Sequence, residues 1–285
     1  MKRPPEPDTT AWRTAIGHFE TYAYAPGRRG IDPVHVHGDV QICLSLNFPG
    51  RYRSGRWTRD VPARAISVVD AWEPHAAEDP CDRSIVARYW LLYVGLDRWD
   101  EALAAIGVRP RVGIAVWSDP AAVRAFMALH RRRGGDNRLE QEERLLSLLA
   151  RLLPVAHPRQ AGAASTPAMS SKMLDRARDY LAAYAVDHVS LADVARACGA
   201  SPQHLSARFR DRFGVPVHRF QTLLRLDRAR RLLAGGASAG EAAAACGLSD
   251  QSHLTRHFRR YLGMTPGRYA GHAGRRVRTA AASSI

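Results

Sequence analysis

Residues Ser190–Gly214 read SLADVARACGASPQHLSARFRDRFG, and the pattern returns at Ser238–Gly263 as SAGEAAAACGLSDQSHLTRHFRRYLG. With an offset of 48, Ser190 pairs with Ser238, Ala195 with Ala243, Cys198 with Cys246, Gly199 with Gly247 and Ser201 with Ser249. After one inserted residue the offset is 49, and His204, Leu205, Phe209, Arg210 and Gly214 pair with His253, Leu254, Phe258, Arg259 and Gly263. A repeat of this length is two copies of one supersecondary unit. Each copy opens on a capping-box signal, Ser190-x-x-Asp193 or Ser238-x-x-Glu241, in which the hydroxyl satisfies an orphan N–H and the acid favours the positive helix end. A helix of about two turns runs to Gly199 or Gly247, where a left-handed cap costs glycine little. Ser201 with Pro202, or Ser249 with Asp250, then starts a second helix. Short helix, glycine turn, second helix is a helix-turn-helix.

The second helices each have two faces. Leu205, Phe209 and Phe213 share one face of the first, and Leu254, Phe258 and Leu262 one face of the second. Gln203, His204, Ser206, Ala207, Arg208 and Arg210 remain outward on the first, and Gln251, Ser252, His253, Thr255, Arg256 and Arg259 on the second. Amide, hydroxyl and guanidinium groups on a helix of this size suit base edges in the major groove. The competing reading is a solvated face of a helical bundle, which two matching copies make less economical. Charge points the same way. The chain carries 42 basic and 27 acidic residues, a formal +15, and residues 171–285 hold 19 of the basic and 8 of the acidic ones, leaving +11 there and +4 in residues 1–170. A field so concentrated attracts polyanions, with duplex nucleic acid ahead of an anionic membrane surface. Nearly all of these cations are arginine, which also fits a bias in base composition.

ACGASPQHLSARFRDRFG, FQTLLRLDRARRLLAGG and CGLSDQSHLTRHFRRYLGMTPGRY together make residues 172–270 resemble the DNA-binding domain of the AraC/XylS family of bacterial transcription regulators. The resemblance implies two helix-turn-helix units joined by a long helix, with Gln203, Ser206 and Ala207 facing bases from the first and Gln251, Ser252, Thr255 and Arg256 from the second. Two departures stand out. Arg208 comes one position later than the arginine common in the first recognition helix, a rotation of about 100°, so it is expected on phosphate, with Ala207 near a thymine methyl. Pro216 comes one residue early, while Met264-Thr265-Pro266 keeps the usual order. Val217–Ala234 has helical spacing of Phe220, Leu223, Leu224, Ala229, Leu232 and Leu233 and is stopped by Gly235-Gly236. As the connecting helix it would hold the recognition helices about one DNA turn, roughly 34 Å, apart.

Residues 157–171, HPRQAGAASTPAMSS, read as a linker, and residues 1–156 as a separate domain. Within it Val40, Ile42, Leu44 and Leu46 alternate with Gln41, Cys43, Ser45 and Asn47 along a strand expected over Val34–Asn47. Arg51–Val61 reads as a hairpin turning at Ser54-Gly55, and Ala65–Val69 and Ser84–Val94 as further strands. These predict a small antiparallel β-barrel, which resembles the cupin-like effector-binding domain of the same regulators. The resulting fold class is α+β with two domains, a cupin-like barrel with a helical appendage and an all-α domain with two helix-turn-helix motifs. Gln41, Cys43, Ser45, Trp57, Trp72, His75 and Tyr89 are candidates to line a small-ligand pocket, and packing within the strands is the other reading of each. His35-x-His37 with His75 offers three imidazoles, but Gln41 stands where a metal-binding cupin would carry a carboxylate. Neither metal nor other cofactor is therefore expected.

Asp97–Ile106, Asp119–Arg133 and Asn137–Leu153 read as helices. In the last, Leu145, Leu148, Leu149, Leu152 and Leu153 form a stripe that would pair with its copy in a homodimer or pack on its own barrel. Residues 271–285, with Arg275, Arg276 and Arg278, read as an unstructured basic tail with weak phosphate contacts. Cys43, Cys81, Cys198 and Cys246 lack CxxC spacing, no run approaches the roughly 20 apolar residues of a membrane span, and Met1–Thr10 is polar, which together lead to a cytoplasmic expectation. The functional expectation is a non-enzymatic transcription regulator that binds double-stranded promoter DNA under control of a small-molecule effector. RNA polymerase and a second copy are partners implied by the resemblance, and no membrane partner is expected. The rival is a cupin-type metal-dependent enzyme tethered to nucleic acid, which the missing carboxylate and the lack of a nucleophile–base motif disfavour.

Overall fold

The computed structural model describes residues 7–30, 32–55, 57–108, 112–131, 137–153, 168–261 and 265–270. Strands β1 (Asp8–Arg13), β2 (His18–Tyr24), β3 (Val40–Ser45), β4 (Gly50–Ser54), β5 (Trp57–Val61), β6 (Ala65–Val69), β7 (Ala76–Glu78), β8 (Ala87–Val94) and β9 (Ile114–Trp117) are joined by α1 (Leu96–Ala105), α2 (Pro120–Arg131) and α3 (Arg138–Leu152). They form two antiparallel sheets, one of six strands in the order β1-β2-β8-β3-β6-β9 and one of three in the order β5-β4-β7. The expected barrel thus takes the form of two sheets that meet face to face through Gln41, Tyr52 and Ser67.

All six residues of β3 are buried, because both faces of the strand are covered. Val40, Ile42 and Leu44 pack with Leu145, Leu148 and Leu149 of α3. Gln41 and Cys43 look towards the second sheet. The strand is shorter than the alternation from Val34 suggested, and before it only an isolated bridge joins His35 to His75. The hairpin turn at Gly55 (φ +59°) and the bounds of β6 agree with the sequence reading. β1, β2, β7 and β9 were not predicted. β9 is four residues long and β7 three, too short to show a period, and they pair only because β6 and β4 already present an edge.

The three appended helices fall where their periodicity places them. Asp119 accepts from the N–H groups of Ala121 and Ala122 to start α2, and Asn137 accepts from Glu140 to start α3. The leucine stripe corrects one of the two sequence readings. Leu145, Leu148, Leu149, Leu152 and Leu153 are between 0% and 4% exposed within this single chain, packed on its own sheet and α2. That stripe is not free to meet a second copy.

The C-terminal region is helical: α4 (Ala168–Ala183), α5 (Leu191–Cys198), α6 (Pro202–Phe213), α7 (Val217–Ala234), α8 (Ala239–Ala245) and α9 (Gln251–Tyr261). α4 begins inside the stretch read as linker, so the last residues of that stretch are helical. Residues 154–167, Leu262, Met264 and the basic tail lie outside the described residues. α7 has the bounds predicted for the connecting helix. Its Phe220 packs edge-on against Phe209, which lies 4.5 Å from Phe213. This aromatic cluster fastens the first recognition helix to the connector.

Candidate nucleic-acid interface

Both short helices start as the serines predict. Ser190 and Ser238 form complete capping boxes with Asp193 and Glu241. Asp193 is held below the usual carboxylate range first by the Ser190 side chain, and Glu241 by the Ser238 backbone N–H. Gly199 and Gly247 close them at φ +69° and +65°. The second helices start differently. Ser201 caps α6 by accepting from His204 N–H, whereas α9 is capped by Asp250, which accepts from His253 N–H at 2.7 Å. The inserted residue of the second repeat therefore lies before the cap, so Asp250 does the work of Ser201. Ser249 bonds to Asp250 and His253 instead.

Leu205, Phe209 and Phe213 of α6 and Leu254, Phe258 and Tyr261 of α9 are buried. Gln203, His204, Ser206, Ala207, Arg208 and Arg210 are exposed, as are Gln251, Ser252, Arg256 and Arg259, while His253 and Thr255 are half-buried. The residues singled out from the sequence therefore do lie on the uncovered sides of the two helices. Arg260, which was not singled out, is also exposed beside them. His257, half-buried, faces His253 at 2.7 Å, Nε2 to Nε2, and burial followed by the charge of His253 lowers its pKa.

The two units are tied by α7. Arg225 donates to the carbonyls of Ala185 (2.8 Å) and Asp187 (2.9 Å) ahead of α5 and to Gly247 (3.0 Å) in the second turn. Gln221 adds two bonds to the same Ala185 and Asp187 carbonyls. One guanidinium thus ties the start of one helix-turn-helix to the turn of the other.

Residues 194–272 match the profile of a family described as a helix-turn-helix domain. The probable transcriptional regulator LumQ of Photobacterium leiognathi is 29% identical over 92 residues, which are 32% of this chain and 37% of that protein. The C-terminal region carries a helix-turn-helix domain. The chain thus covers little over a third of the length of this curated relative. Among solved structures, ToxT from Vibrio cholerae matches with a TM-score of 0.64 at 10% identity, over 90% of this chain and 98% of that one. A ToxT structure with an unsaturated fatty acid bound matches with a TM-score of 0.60 at 11% identity, over 95% and 97%. These likenesses are of fold, and they extend across both domains.

The helix-turn-helix domain meets the sheet domain through specific contacts. Glu73, 2% exposed, receives two bonds from Arg212 at the end of α6, 2.7 and 3.1 Å, and one from Ser54. Burial opposes the charge on Arg212, but Glu73 more than compensates and raises its pKa. Gly38 N–H donates to Asp227 of α7, and Arg231 lies 5.9 Å over the Trp72 ring. Gly55 and Gly214 touch backbone to backbone: a Cβ on Gly214 would lie 2.3 Å from the Gly55 Cα. Each of these glycines is at positive φ; Gly214 has no room for a Cβ, and one on Gly55 would sit tightly, 3.1 Å from the Gly214 nitrogen.

The candidate effector residues separate into groups. Gln41 donates to Tyr52 at 3.0 Å, Tyr52 pairs with Ser67, and Cys43, whose thiol burial pushes up to about 12, belongs to the same buried layer. Ser45 is buried, and Tyr89, half-buried, donates to the Pro49 carbonyl. Trp57 is 43% exposed at the start of β5 and does not join them, although it shares a strand face with the buried Val61. Trp72, at φ +63°, is a wedge between the two domains, in contact with both cores. His75 joins His35 and His37 in a separate cluster.

Proposed function

We propose that this chain is a transcription regulator in which both helix-turn-helix units bind promoter DNA and the sheet domain, on binding a small molecule, sets how the AraC-type domain is presented. The observation that carries the reading is the repeated, capped helix-turn-helix pair with uncovered polar recognition faces held by one connecting helix. Gln203, His204, Ser206, Ala207 and Arg210 of α6 and Gln251, Ser252, His253, Thr255, Arg256 and Arg259 of α9 are the proposed contacts, with Arg208 on phosphate. The effector is proposed to act at the sheet domain, where Gln41, Cys43, Ser45, Tyr89 and the seam around Trp72 are candidates, and fatty acids, named in one ToxT structure, are the first class to test. Domain boundaries at residues 156 and 172 are proposed from the polar stretch between them, although α4 already begins at Ala168. A second copy would need a face other than the α3 stripe, and RNA polymerase is the partner through which bound regulator would act. No helix among the described residues is long and apolar enough to cross a membrane, in keeping with a cytoplasmic role.

The experiment is selection of bound sequences from a random duplex pool by the full chain, followed by titration of the selected site with and without fatty acids. Arg256→Ala is expected to lose about 1–3 kcal/mol on the selected site and far less on random duplex. Equal losses on both would make Arg256 a phosphate contact only.

A further inference from the structure

His35, His37 and His75 come together from two segments far apart in sequence. The backbone bridge between His35 and His75, 2.9 and 3.0 Å, sets two of them side by side. Extended alternation carries His37 to the same side, while Val36 between them points into the core of the helix-turn-helix domain. One ring nitrogen from each lies within 4.8 Å of the others.

The hydrogen bonds fix which nitrogen is available. His35 Nδ1 meets the Pro33 carbonyl at 3.0 Å, His37 Nδ1 the Asp39 carbonyl at 2.6 Å and His75 Nδ1 the Glu73 carbonyl at 2.9 Å. A carbonyl only accepts, so each Nδ1 carries the proton and each Nε2 keeps a lone pair. That tautomer, with the far nitrogen braced by a backbone carbonyl, is the arrangement of metal-bound imidazoles. His37 Nε2 is buried without a hydrogen-bond partner, an acceptor that costs free energy unless something is bound to it.

We infer that His35, His37 and His75 bind a divalent ion of the zinc class through their three Nε2 atoms, with a fourth position left for an anion. Zinc bonds imidazole at about 2.0–2.1 Å and so holds tetrahedral donors roughly 3.3 Å apart, so the rings would close in from a spacing of up to 4.8 Å on binding. Arg230 is close enough to act on His35 and His37. Its charge opposes a bare dication and favours hydroxide or a small carboxylate as the fourth ligand. The ion would brace the segment whose Val36 and Gly38 meet the helix-turn-helix domain, which makes the metal a ligand of the seam.

The test uses the full chain stripped with chelator, then equilibrated with Zn²⁺ or Co²⁺ and desalted. One equivalent of metal is expected, with visible d–d absorption for Co²⁺ and an unfolding midpoint raised by the metal and restored by EDTA. His37→Ala, folded by circular dichroism, should bind at least about tenfold more weakly; His35→Ala serves as the second variant if His37→Ala does not fold. The pair His253 and His257 is the control, and His257→Ala should retain the metal. No uptake by the wild-type chain, unchanged uptake by folded His37→Ala, or loss in His257→Ala would each overturn the assignment. None of these readouts depends on DNA binding, so the inference and the proposed function can fail separately.

Discussion

Gly199 and Gly247 hold the same place in the two repeats, and the sequence assigns both the same task. Each adopts the left-handed conformation that costs other residues about 1–2 kcal/mol. Their surroundings differ. A Cβ on Gly199 would meet nothing within 4 Å, whereas one on Gly247 would lie 2.2 Å from the Val186 carbonyl oxygen. Gly199→Ala should therefore cost only the conformational term, about 1–2 kcal/mol, and Gly247→Ala several tenths to 2 kcal/mol more, because the Val186 backbone must move. Urea unfolding of the two variants decides it, and equal losses would show that the α4–α5 loop yields freely. The need for glycine was legible from its position after the helix; the unequal cost was not, since Val186 is 61 positions away in sequence.

Elements carry the next level. Helices with a sharp cap and a dense stripe, α2, α3, α5 and α6, were legible almost to the residue because local chemistry determines where they start and which face they bury. What the stripe packs against is not local. The leucines of α3 suit a dimer seam and a private core equally well as a pattern, and the structure gives them to the core. Leu149→Ala is accordingly expected to lower stability by about 2–5 kcal/mol and to leave the oligomeric state seen by sedimentation unchanged. A shift in oligomeric state at matched stability would return the stripe to an interface. The short strands β7 and β9 were illegible for the opposite reason, having too few residues to declare a face.

At the scale of the molecule, the seam is where the two domains become one device. Glu73 sits almost fully buried and is charge-matched by Arg212, which ends the first recognition helix. Removing one partner of a buried pair leaves the other without compensation. Since the Arg212 side chain is 34% exposed, the loss on Arg212→Ala is expected near the low end, about 2–3 kcal/mol. The expected observation is looser docking, read as faster proteolysis between residues 153 and 168 and a larger hydrodynamic radius, with the helix-turn-helix domain itself still folded. Unchanged cleavage would mean that the remaining contacts, among them Gly38 with Asp227, Arg231 with Trp72 and Gly55 with Gly214, hold the seam without Arg212.

By itself the sequence determined the repeated helix-turn-helix units, most of their caps, the connecting helix, the uncovered polar faces of α6 and α9 and where the positive charge is concentrated. All of these depend on residues within one or two helical turns of each other, or on composition alone. Only the tertiary structure decided that the α3 stripe is internal, that Trp57 is exposed and Trp72 wedges between domains, that Glu73 clamps Arg212, and that three histidines turn their lone pairs towards one another. Those facts depend on which distant segments are brought into contact, and burial and register, which no local pattern encodes, determine that.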